Sequence, residues 1–376
     1  MRIGIDLLFL AAGRGGGIER YVRGLIDGLA RLGGGHEYVL FTNAHCRGTF
    51  PLAEGFTEVA SNVSAVFRPA KLVWEQTVLP VQLAKHDIDV LLAPANVSPI
   101  AHRCPSAVII YDVVAFMRPE VFTRVERIAL KLLLRVAARR NDLIITCSES
   151  SKRDIVRLFG VSEDRVVVVL GAVDEQFAPV PVTDEARAQL ADKGIPRDYI
   201  LYVAASRTYK NVDGLVRAFK QLKDRGHRHA LVVTGLADRA TPELLGLVEQ
   251  LGLSRDVIFS GFLDDRMLPL LYSAAAAFVY PSFYEGFGLP VLEAMACGTP
   301  VAASNRTSIP EAVGDAGLLF DPDDTDAMVT AIERLLVDQP LRERLVTAGI
   351  ARAKTFTWDR VARQTLAALT SLGGPR

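Results

Sequence analysis

Residues 276–304 read AAFVYPSFYEGFGLPVLEAMACGTPVAAS. A short apolar run of strand length opens the stretch and a second closes it. Between them stand a glycine-bearing loop, then Pro290, which suits a first helical turn, and Gly298, which suits the position just past a helix end. The spacing predicts a helix over 290–297. Strand, loop, helix and strand in this order form a βαβ unit, and βαβ units build parallel sheets.

The same alternation continues in both directions. EYVLFTN, VLLAP, SAVIIYD, DLIITCS and RVVVVLG each have the uniform apolar character of a strand buried on both faces. GIERYVRGLIDGLARLG and RVERIALKLLLRVAARR carry apolar residues at helical spacing. After residues 170–198, which hold three prolines and few aliphatics, the pattern restarts with YILYVAA, HALVVTG, VIFSGF and AGLLF. The predicted fold is α/β, with two doubly wound domains over 1–175 and 176–356, facing across a cleft. A last helix over 357–374 is able to pack back on the first. Ligands of such sheets bind where the strands' carboxyl ends meet loops and helix N-termini.

The bulk composition agrees with this reading. The 376 residues are 50% hydrophobic and 23% charged, with a net charge of zero. That is globular, exceeds one ordinary core, and gives no overall field for nucleic acid. Four scattered cysteines without a C-x-x-C pair read as free thiols of a reducing cytosol, and no metal-ligand spacing is present. No apolar run is long enough to span a bilayer.

Several charged residues fall at the expected ligand edge. The N-terminus of the helix near Leu289 offers unpaired N–H groups to a phosphate. Glu293, one turn inside, could accept hydrogen bonds from vicinal hydroxyls or merely complement the helix dipole. Glu285 could flank the same ligand or be a solvated loop residue. Arg207 and Lys210, in a strand-to-helix loop, could neutralise a diphosphate or be turn charges. Gly15, Gly16 and Gly17 open a helix after the first strand, a general phosphate-loop arrangement that also suits a tight turn. Asp112 follows another strand and could cap a turn instead. Arg127, Lys131, Arg135 and Arg139 recur every fourth residue on one helix face, either solvated or suited to anionic lipid. Residues 87–89, DID, read as a strand-capping turn.

EGFGLPVLE resembles the E-x7-E signature of retaining glycosyltransferases of family 4, and the likeness covers most of the chain. The resemblance implies the GT-B fold of two Rossmann-like domains. By position, Glu293 would bind the donor ribose and Glu285 the donor sugar near the reacting carbon. Gly286, Phe287 and Gly288 would give backbone contacts, and Lys210, Arg207 and the helix N-terminus at Leu289 would stabilise the departing diphosphate. Gly16 and Gly17 would line the cleft as donor-binding residues in a loop that faces the donor diphosphate or the acceptor. Asp112 matches the aspartate of a His-Asp pair near the reacting centre, a catalytic position from which it would orient a donor hydroxyl or the acceptor. Two positions depart from the family: Tyr111 stands where many relatives carry histidine, and Ala205 where many carry arginine. The implied donor is a nucleotide-diphosphate sugar, GDP-mannose first. The implied acceptor is a glycan or lipid-linked saccharide, with no metal or other cofactor and no nucleic-acid partner. The expected place is the cytoplasm, with peripheral contact to the inner face of the membrane left open. A non-catalytic sugar-nucleotide-binding protein and a sugar-nucleotide epimerase of the same fold are the other readings.

Overall fold

The computed structural model describes residues 1–11, 16–50, 52–203, 207–235, 241–261 and 263–373. One unit runs from Met1 to Ala172 and takes in the C-terminal segment from Thr357; the other is Val173–Phe356.

In the first unit, strands β1 (Arg2–Asp6), β2 (Glu37–Thr42), β3 (Phe56–Ala60), β4 (Val90–Ala93), β5 (Ser106–Ile109), β6 (Leu143–Thr146) and β7 (Val166–Val168) form one sheet. The order is β3-β2-β1-β4-β5-β6-β7, and every pairing is parallel. All residues of β4, β5 and β6 are buried, which explains their unbroken aliphatic composition. The C-terminal helix Trp358–Thr370 packs on helix Gly16–Leu32 of this unit. Close approach depends on Gly24, where a Cβ would stand 2.1 Å from the Trp358 ring. Arg31 and Asp359 pair at 2.8 Å beside that contact.

At the carboxyl end of β1 the first unit buries two acids. Asp6 is buried and accepts from the Leu8 amide at 3.0 Å. Glu75 is also buried, with Lys71 3.9 Å away and no hydrogen-bond partner for Oε1 among the described residues. Burial raises both carboxyls above their ordinary values, and Asp6 adds to the rise at Glu75. The native state therefore holds protons that the unfolded chain has already lost. Stability then falls as pH rises from the ordinary carboxyl value of 4.5 to about 8 and is level above that. Glu75→Gln is expected to lessen this decline by about 1–3 kcal/mol. Both tryptophans, Trp74 and Trp358, lie in this unit, so denaturation followed by tryptophan fluorescence reads it directly. An equal decline in the variant would contradict the assignment.

The second unit has strands β8 (Tyr199–Val203), β9 (Ala230–Thr234), β10 (Val257–Gly261), β11 (Ala277–Tyr280), β12 (Val301–Ser304) and β13 (Leu318–Phe320). They pair in parallel in the order β10-β9-β8-β11-β12-β13. The opening βαβ unit is β11, helix Leu289–Ala296 and β12, so the helix stands one residue earlier than the expected 290–297. Strand order reverses between β8 and β11, and the loops after these two strands therefore meet at the topological switch point.

Candidate active site

Lys210 ends a short 3-10 turn, Thr208–Lys210, that follows β8, and Glu285 lies in the loop that follows β11. Pairing of these strands brings together two residues that are 75 positions apart. Lys210 Nζ donates to Glu285 Oε1 at 2.6 Å and to the Tyr280 hydroxyl at 3.0 Å. The two charged side chains are only 13% and 11% exposed. A backbone bond from the Phe283 amide to the Tyr209 carbonyl, 2.9 Å, ties the two loops beside the pair.

Burial disfavours the Lys210 ammonium, but Glu285, with the surrounding tyrosines, outweighs it and holds the group well above its ordinary value. Lys210 is thus a fixed cation throughout the neutral range. Burial pushes the Tyr280 hydroxyl well up, Glu285 adds to the rise, and it stays a neutral phenol. An ammonium has three N–H donors. Among the described residues two are engaged, which leaves one for a ligand oxygen.

The backbone of Glu285 is clamped from the other side. Its amide donates to Thr307 Oγ1 at 3.0 Å, and Ser308 Oγ donates to its carbonyl at 2.9 Å. Thr307 has φ +53°, a left-handed conformation that a β-branched residue adopts only when its surroundings demand it. Strain at that position accompanies a bond that places the Glu285 loop.

The loop continues through Gly286, Phe287 and Gly288 to the helix starting at Leu289. Gly288 precedes the helix with φ +105°, open to glycine but strained for other residues. Phe287 is buried and its ring meets Phe356 at 5.8 Å, so the side chain anchors the loop and only the backbone remains for a ligand. Glu293, one turn in, is 4% exposed and accepts from the Tyr272 hydroxyl at 2.9 Å. Burial drives the nearby Cys297 thiol up to about 12, with Glu293 adding to it, so this cysteine is inert.

The other expected residues belong to the same turn as Lys210 or to the first unit. Arg207 is exposed at the start of the 3-10 turn. Gly16 and Gly17, exposed, begin the first helix of the other unit, and Gly16 has φ +52°. Asp112, also in the first unit, accepts from the Val114 amide at 2.9 Å, the turn-holding geometry that was its alternative reading. Tyr111 is occupied structurally: its hydroxyl donates to the Pro94 carbonyl at 2.9 Å and its ring meets Tyr21 edge-on. Burial raises its pKa further, so it does not act as a proton acceptor in place of a histidine. Gly15 and Ala205 lie outside the described residues. Among the described residues no group of three or more His, Cys, Asp or Glu side chains is placed to hold a metal ion.

Sequence reading missed Tyr280, Tyr272, Thr307 and Ser308. Tyr280 stood in the opening stretch as an ordinary strand aromatic. Only its position at the carboxyl end of β11 distinguishes it. Thr307 and Ser308 carry no local signal.

Comparison with known proteins bears on both units. Residues 184–352 match the family model described as Glycosyl transferases group 1, and residues 15–177 match Glycosyltransferase Family 4. O-antigen chain mannosyltransferase B of Escherichia coli is 38% identical over 275 residues, 71% of each chain. The serotype-specific mannosyltransferase WbdA of Escherichia coli is 35% identical over 240 residues, which are 62% of this chain but only 29% of that protein. Among solved structures, sucrose-phosphate synthase of Thermosynechococcus elongatus aligns with a TM-score of 0.78 at 22% identity, over 99% of both chains. HepE of Anabaena, in complex with UDP and glucose, aligns with a TM-score of 0.74 at 18% identity, over 99% of this chain and all of that one. At such identities the structural likeness speaks for the fold, and the sequence matches speak for the family. The chain belongs to the family 4 glycosyltransferases and is a glycosyltransferase of the GT-B fold.

Proposed function

We propose that the chain is a retaining enzyme that transfers mannose from GDP-mannose to a glycan or lipid-linked saccharide. The observation that carries the reading is the Lys210–Glu285 pair at the switch point of the second sheet, next to the helix that bears Glu293. The choice of mannose is supported by relatives named as mannosyltransferases.

In this reading the second unit holds the donor. Glu293 takes the ribose hydroxyls, and the diphosphate lies against the N-terminus of helix Leu289–Ala296 and the free N–H of Lys210. As the bond between anomeric carbon and phosphate oxygen breaks, negative charge grows on the diphosphate. Lys210, already protonated and already oriented by Glu285 and Tyr280, stabilises it without reorganisation. Arg207, exposed on the same turn, adds a second cation. Glu285 contacts the sugar near the reacting carbon, and Gly286, Phe287 and Gly288 offer backbone groups. The first unit receives the acceptor; its Asp112 orients the acceptor or a donor hydroxyl, and Gly16 and Gly17 are assigned to donor binding. Front-face attack or a covalent intermediate both give retention, and neither needs a bound metal.

Calorimetric melting in the presence of GDP-, UDP-, dTDP- and ADP-sugars tests the donor. GDP-mannose is expected to raise the midpoint most; at a hundredfold excess over Kd the stabilisation is about 2.7 kcal/mol. No rise with any of the four would overturn the donor-site reading, and a larger rise with another sugar nucleotide would replace GDP-mannose.

A further inference from the structure

The amino end of the second sheet, opposite the Lys210–Glu285 pair, borders a cavity of about 290 Å³ that lies wholly within the second unit. Asp198, His229 and Ala276 line it, each from the position directly before a strand: β8, β9 and β11 in turn. Strand β8 has five residues, which sets the cavity about 16 Å along the sheet from the loop that carries Lys210. It is therefore no part of the donor site.

Three guanidinium groups converge on this cavity. Arg187 comes from helix Asp184–Ala191, Arg342 from helix Gln339–Ala353, and Arg197 from the segment leading into β8. Arg187 and Arg342 are half-buried, and Arg197 is exposed. Among the described residues none of the three forms an ion pair, and Asp198 is the single carboxylate in the lining. Arg187 Nη1 donates to the Arg197 carbonyl at 3.0 Å, so one guanidinium is already oriented. A concave surface lined mostly by one sign of charge concentrates counter-ions, and arginine binds two phosphate oxygens at once.

The rest of the lining narrows the class of anion. Val182 and the run Ala274 to Ala276 give an aliphatic wall, which suits the C–H face of a sugar ring. Asp198 can accept from ring hydroxyls. His229 is half-buried, and its Nδ1 has no hydrogen-bond partner among the described residues. Burial holds its pKa below the ordinary value, so at neutral pH the ring offers one donor and one acceptor. Inorganic phosphate would leave all of these unused. The cavity also stands at the lower limit of about 300 Å³ for small-molecule sites, which favours a sugar phosphate over a whole nucleotide sugar. We propose that this cavity binds the phosphate monoester of a sugar, with Arg187, Arg197 and Arg342 on the phosphate and Asp198 and His229 on the hydroxyls. The proposal does not depend on which nucleotide sugar the enzyme uses.

Titration calorimetry of the full chain tests it, with GDP present throughout to occupy the donor site. Glucose 6-phosphate and mannose 1-phosphate are the probes, and inorganic phosphate and mannose are the controls. One site per chain is expected for a hexose phosphate, at least about tenfold tighter than for either control, the equivalent of one or two added hydrogen bonds. Arg187→Ala with Arg342→Ala should weaken that binding at least about tenfold. So should Arg197→Ala, whose exposed position keeps loss of folding out of the result. The nucleotide Kd should be unchanged in both variants, which separates failure here from failure of the donor-site reading. Binding of neither hexose phosphate, equal binding of a control, or binding undiminished by either variant would overturn the proposal.

Discussion

Replacing Lys210 by alanine is expected to lower kcat by about 10²–10³-fold, the range found when one preorganised donor to a developing oxyanion is removed. The size of the effect follows from how little freedom the ammonium has. It is held at 2.6 Å from Glu285 and 3.0 Å from Tyr280, mostly shielded from water, and it is charged before the donor arrives. The same burial creates a second effect. Alanine leaves Glu285 with no counter-charge, and breaking a buried pair costs about 3–5 kcal/mol. Loss of activity could then reflect loss of folding. The double variant Lys210→Ala, Glu285→Ala separates the two, because it removes both charges together. Melting should show stability largely restored in the double variant, while steady-state kinetics show turnover still lost. Recovery of turnover along with stability would reduce the pair to a structural brace.

Glu293→Ala is expected to act on affinity: the nucleotide Kd should rise about 10–100-fold in titration calorimetry, equivalent to one or two charge-assisted hydrogen bonds. The fall in kcat should be smaller, since ribose contacts serve ground state and transition state alike. A structural role must be separated here too, because Glu293 is nearly sealed from solvent and accepts from the Tyr272 hydroxyl at 2.9 Å. Tyr272→Phe removes that bond and leaves the carboxylate. It should cost about 1 kcal/mol of stability and leave the nucleotide Kd within a few-fold of wild type. If Tyr272→Phe weakened nucleotide binding as much as Glu293→Ala, the carboxylate would be holding the helix in place and not the ribose.

The inner strands of both sheets were legible because strands covered on two faces are apolar, and runs such as Val90–Ala93 announce themselves. The edge strand β3, FTEVA, is partly exposed and carries no such run, and the sequence reading passed over it. Helix Leu289–Ala296 was placed within one residue by Pro290 and Gly298, whose backbone limits are local. Glu285 and Lys210 were each visible as charges in ligand-edge loops, but their contact was not. It arises from β8 lying next to β11, a long-range fact with no signature in either loop. Thr307 is invisible for the same reason: its strained φ has meaning only once the Glu285 amide is opposite it. Asp112 was open to two readings, and the bond to the Val114 amide gives the carboxylate a turn to hold. The four-residue recurrence of Arg127, Lys131, Arg135 and Arg139 suggested one cationic face. Tertiary packing half-buries the first two and leaves the last two exposed around aliphatic residues that periodicity alone would have assigned to a core.

The most direct test of the central claim follows the nucleotide sugar that stabilises the protein most by proton NMR during the first minutes of incubation. It reads which anomer is released to water or acceptor before mutarotation. For GDP-mannose, whose sugar is the α anomer, α product is expected from the wild type and no detectable release from Lys210→Ala. A β product would contradict retention, and equal release by Lys210→Ala would contradict the place assigned to the Lys210–Glu285 pair.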